Sequence, residues 1–126
     1  MSRTAGFRCS QLDLFVLATA IPAAWWLWEH VGPIAGAVPF AVGHFFLFCN
    51  VFRIQHTKEL LWAAMCLVNI SAWMIAERFD WWLILAVQSP LTVALIALEM
   101  RDPSYHGVWA RRINPRLDQY LISSSA

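Results

Sequence analysis

The sequence predicts an all-α, polytopic membrane protein: four transmembrane helices in two antiparallel hairpins, both termini cytoplasmic, followed by a short amphipathic C-terminal tail. Three observations predict it. Of the 126 residues, 60% are hydrophobic and 13% charged, about half the charged share of a soluble domain. The charges are segregated, leaving uncharged runs at 14–28, 31–52, 60–76 and 81–98, each near the ~20 residues a helix needs to cross ~30 Å of hydrocarbon. Finally, every Lys and Arg except Arg78 falls before span one, between spans two and three, or after span four. The positive-inside rule puts those segments in the cytoplasm.

The elements follow in order. Span one, about 12–30, continues through Pro22 into Trp25, Trp26 and Trp28 and lacks the small-residue processing site of a cleaved signal, so it is read as retained. Span two, 33–52, opens at Pro33 after the turn Glu29-His-Val-Gly-Pro33, where proline suits a first helical turn. Spans three (59–77) and four (81–100) are joined so tightly by Glu77-Arg-Phe-Asp80 that they must be antiparallel neighbours. Uncovered backbone groups are costly in lipid, so spans of this length are helices. Pro22, Pro39 and Pro90 lie inside spans and predict local kinks. Residues 1–102 thus form one transmembrane domain. In the cytoplasmic interfacial tail, 103–126, Asp102-Pro103 and Asn114-Pro115 interrupt any continuous helix. The tail is expected to lie on the bilayer, basic side outward, with Trp109, Tyr120 and Leu121 turned toward lipid and the final serines frayed.

Chemistry-bearing residues gather in two places. On a wheel of about 100° per residue, His44 shares a face with Phe40 and Phe48 and lies roughly 140° from Cys49, which rules against a joint metal site on a regular helix. Gly36, Pro39, Gly43 and Asn50 make another stripe, a candidate for close helix packing. Asn50, Arg53, Glu59 and Trp62 converge near the inner loop that carries His56 and Lys58. An Arg53–Glu59 pair could clamp the loop, or Arg53 could hold an anionic ligand. In span three, Cys66, Asn69 and Glu77 fall on one face, which Gln88 and Thr92 of span four could complete as an intramembrane polar face.

Metal chemistry is not predicted. His30, His44, His56 and His106 are scattered and Cys9, Cys49 and Cys66 form no pair. His44 could ligate haem only with a ligand from elsewhere, such as Met65, Met74 or another chain. No cofactor is expected, with haem or quinone as the options to test. No phosphate-cradling glycine loop, zinc helix or nucleophile elbow occurs, and the tail arginines fit anionic lipid better than nucleic acid. The sequence therefore predicts a small bacterial inner-membrane protein, a non-catalytic subunit or accessory of a membrane complex or a homo-oligomer, whose partners are the lipid bilayer and other membrane chains or copies of itself. The alternatives are an oligomeric small-solute or proton transporter or channel, and an interfacial lipid- or quinone-binding enzyme.

Overall fold

The computed structural model describes residues 5–125, with side chains through residue 124. Arg3, counted above among the basic residues, and Ala126 lie outside the described residues. The elements are α1 (Gln11–Val31), a 3-10 stretch Gly32–Gly36, α2 (Ala37–Phe46) continued by a π-turn Leu47–Val51, α3 (His56–Ile75), α4 (Trp81–Met100), α5 (Ala110–Ile113) and α6 (Leu117–Ser125). Three helical stretches are long and apolar enough to cross a membrane: Gln11–Val51, His56–Ile75 and Trp81–Met100.

The first stretch is 41 residues long, about twice what one crossing needs, and it folds back on itself. A capping box starts α1: the Ser10 hydroxyl accepts from the Asp13 N–H at 3.2 Å and the Asp13 carboxylate accepts from the Ser10 N–H at 2.7 Å. The helix ends at Gly32, whose φ of 73° and ψ of −148° are open to glycine and strained for other residues. Pro33 then opens the return. The chain before α1 consequently meets the far end of the second helix, where the Arg8 N–H donates to the Asn50 carbonyl at 3.0 Å and the Phe7 and Phe46 rings lie 6.1 Å apart.

The second hairpin reverses at Glu77, held at φ 54°, and Asp80 caps α4 by accepting from the Trp82 N–H at 2.9 Å. Helices α3 and α4 bury one face each: Glu59, Trp62, Cys66 and Asn69 on α3, and Ile84, Gln88, Thr92, Leu95 and Glu99 on α4. Phe48 and Ile54 from the first half complete this core. By contrast, α1 buries no residue.

The hairpins are tied at both ends. At the turn end, Trp81 donates its indole N–H to the Pro33 carbonyl at 2.8 Å, and its ring occupies the space a Cβ on Gly36 would need. This is the close approach expected of the glycine stripe; Gly43, in the same stripe, faces open space. At the other end the tail is the tie. Tyr105, Ala110 and Leu117 are buried with Ala5, Met100 and Leu121 packed around them. The Val108 N–H donates to the Val51 carbonyl at 2.8 Å and the Gly6 N–H to the His106 carbonyl at 3.0 Å. A side chain on Gly107 would collide with the Phe52 carbonyl and the Tyr105 hydroxyl. Tyr120 and Leu121 therefore turn onto the protein, while Trp109, left-handed at φ 57°, is 66% exposed. Helix α6 runs through the serines expected to fray, and Ser124 donates to the Leu121 carbonyl at 3.0 Å.

Candidate functional site

Polar side chains assemble in two places, and the division differs from the one the sequence suggests. Along the α3–α4 seam, Asn69 donates its amide to the Ile84 carbonyl at 3.0 Å and to the Gln88 side chain at 3.5 Å, and accepts from the Trp73 indole at 3.1 Å. Gln88 donates to the Trp62 carbonyl at 3.2 Å. The Trp62 indole donates to the Thr92 hydroxyl at 2.8 Å, which itself donates to the Gln88 carbonyl at 2.9 Å. Asn69, Gln88 and Thr92 thus form one ladder, Cys66 is buried in the adjoining core, and Glu77 stays exposed in the turn. Trp62 belongs to this ladder rather than to the loop cluster. Its ring is stacked 4.5 Å from His44, whose Nδ1 lies 2.9 Å from the Phe40 carbonyl. Among the described residues no buried side-chain nitrogen or oxygen lacks a partner.

The second assembly is a basin of about 480 Å³ between the loop before α3, the end of α4 and the tail, with Cys49, Arg53, His56, Glu59, Glu99, Ser104, His106 and Tyr120 in its lining. Its two carboxylates are already engaged. Glu59 accepts from the Cys49 thiol at 2.8 Å and lies 3.0 Å from His56 Nδ1. Glu99, which the sequence reading did not single out, is 2% exposed and pairs with Lys58 at 2.5 Å. His106 stacks 5.6 Å from Tyr120 and holds the Ser104 carbonyl at 2.8 Å. Arg53, at φ 50°, lines the same basin as Glu59.

Asn50 does not join this basin. The π-turn, marked by the Phe52 N–H reaching back to the Leu47 carbonyl at 2.9 Å, adds a residue to the turn and changes which way the following side chains point. Cys49 turns toward α3, and Asn50 turns toward α1. In the orientation that satisfies its amide, the Asn50 nitrogen donates to the Arg8 carbonyl at 3.1 Å and the Asp13 carboxylate at 3.2 Å.

Two groups in the tail are electrostatically biased. Burial, and then the charge of Glu99, pushes the Tyr105 hydroxyl up to about 12, and it donates to the Val108 carbonyl at 2.7 Å. Hydrogen bonds from the Ser104 hydroxyl, and then its N–H, hold the Asp102 carboxyl below the usual range.

Chemically, the basin is a mixed-charge surface. The Cys49 thiol is held by the Glu59 carboxylate, and no imidazole hydrogen-bonds it among the described residues. No three of His, Cys, Asp and Glu among the described residues come together as a metal ion would require. Protein-family models, curated proteins and solved structures contain no match to this chain.

Proposed function

We propose that this protein is a small integral membrane protein that crosses the bilayer four times in two antiparallel hairpins and serves as a non-catalytic subunit or accessory of a membrane assembly, or as a homo-oligomer. The observation that carries this reading is the α3–α4 ladder. Its deepest polar groups, Asn69, Gln88, Thr92 and the Trp62 indole, bond to one another or to backbone, as polar glue between helices does. A solute path would need some of them to face a passage. Support for further chains comes from α1, which buries nothing of its own and carries the exposed Leu14, Phe15, Ile21, Trp25 and Trp26.

The location is a bacterial-type inner membrane with both ends of the sequence inside. The basic residues Arg8, Lys58, Arg101, Arg111, Arg112 and Arg116 share the end of the bundle where the Lys58–Glu99 bridge and the tail lie, and Arg78 is at the other. Labelling of Arg78→Cys only from outside and Gln119→Cys only from inside is expected; the reverse overturns the orientation. Native mass spectrometry after gentle extraction is expected to show a fixed stoichiometry with itself or another membrane chain. A solitary monomer, or liposome flux that Asn69→Leu abolishes, sinks the proposal, the latter in favour of a transporter.

A further inference from the structure

We infer that the cavity between the end of α4 and the α5–α6 turn is a binding site for the phosphate headgroup of an anionic phospholipid, an inference that rests on the membrane reading above. The cavity is about 340 Å³ and its lining includes both Arg101 and Arg116, with Met100, Pro103 and Ile113 supplying apolar surface. Guanidinium groups match phosphate oxygens in both charge and fork geometry. The apolar surface suits the glycerol and first acyl carbons beneath a headgroup, at the depth where α4 leaves the apolar run.

The site is built by the fold, not by a loose tail. Asn114 is buried and its amide donates to the Pro103 carbonyl at 2.8 Å and the Tyr105 carbonyl at 2.9 Å, while its oxygen accepts from the Arg116 N–H at 3.0 Å. One side chain thus fixes the segment carrying Arg116 against the segment that follows Arg101. The neighbouring carboxylates are occupied: Asp102, also in the lining, accepts from the Ser104 N–H at 2.8 Å and its hydroxyl at 2.5 Å, and Glu99 is held by Lys58. Arg101, Arg111, Arg112 and Arg116 form no ion pair among the described residues. The exposed Trp109 sits beside them in sequence, an indole placed as interfacial anchors are.

The test is lipid retention. The protein is reconstituted in nanodiscs of mixed phosphatidylglycerol and phosphatidylcholine, and the lipids that remain bound are counted by native mass spectrometry. Wild type is expected to retain phosphatidylglycerol preferentially. Arg101→Gln with Arg116→Gln is expected to lower that preference by about fivefold per arginine, and Arg78→Gln, at the opposite end, to leave it unchanged. Equal retention of both lipids, or an unaltered preference in the double variant, overturns the site. Displacement of the lipid by millimolar glycerol phosphate overturns the lipid as occupant in favour of a soluble phosphate. Insertion is scored separately by resistance to alkaline extraction. If the protein fails to insert, the membrane reading has failed; if it inserts without the preference, only the headgroup site has.

Discussion

The two seams of this molecule are built on different physics. Between α3 and α4, Trp62 and Gln88 are 1% exposed, Ile84 is fully covered, and a ladder of polar bonds threads the apolar contacts. Between α1 and the second helix, α1 buries nothing, and two open cavities of about 230 and 470 Å³ run along the joint. That joint is fastened at its ends, by the Ser10–Asp13–Asn50 cluster and by Gly32. Lipid tails are as apolar as leucine, so a seam without a ladder of polar bonds gains less over lipid contact, although α1 and the second helix approach as closely as α3 and α4 do. The comparison teaches that α3–α4 is the specified unit and α1 its adjustable neighbour.

The largest effect should come from stripping the partner from a buried charge on the specified seam. Lys58→Met leaves Glu99 buried and unpaired and is expected to cost about 3–5 kcal/mol, read as thermal unfolding in detergent. Adding Glu99→Leu should restore most of it. If the single variant is as stable as wild type, the seam is not the stable unit. Next comes Gly107→Ala, whose methyl group would meet the Phe52 carbonyl and Tyr105 hydroxyl and is expected to cost about 1–3 kcal/mol by overpacking. Protease sensitivity after residue 102 should rise, while the α3–α4 core keeps its tryptophan fluorescence.

A pH titration comes third. Because Tyr105 has its folded value raised to about 12, the folded state holds the proton more tightly than the unfolded chain. Stability from this group is full below pH 10 and falls as pH rises toward 12. Tyr105→Phe should remove that alkaline loss, at the expense of the bond to Val108, worth about 1 kcal/mol. The smallest effect is expected on the adjustable seam: Ile21→Ala, at a side chain 72% exposed, should change stability by less than about 0.5 kcal/mol. A loss above 2 kcal/mol would show that α1 is as firmly specified as α4, and would erase the contrast.

Much of this was legible in the residues. The apolar runs mark the long helices, and α4 begins and ends where the charge pattern puts it. The wheel for span three puts Asn69 and Cys66 on the face that α3 buries, because α3 is regular. It fails past Phe46, since a π-turn breaks the constant angle per residue on which the wheel depends; Asn50 therefore meets Arg8 and Asp13 rather than the loop of Arg53 and Glu59. The tail was illegible for another reason. Its buried residues, Tyr105, Ala110 and Leu117, lie in a loop and in two separate short helices, and its docking rests on main-chain bonds such as Val108 to Val51, which no side-chain pattern announces. Glu99 was missed because burial of a charge follows from Lys58, a distant partner in sequence.

The tail tie also sets the order in which the protein can be completed during synthesis. Residues 5–8, 50–52 and 105–108 meet at one point, so the first hairpin is made well before the segment that fastens it exists. At ~5–20 residues per second, α1 and the second helix spend several seconds with this end unfastened. During that interval the Val51 and Phe52 carbonyls are open to whatever else can donate to them.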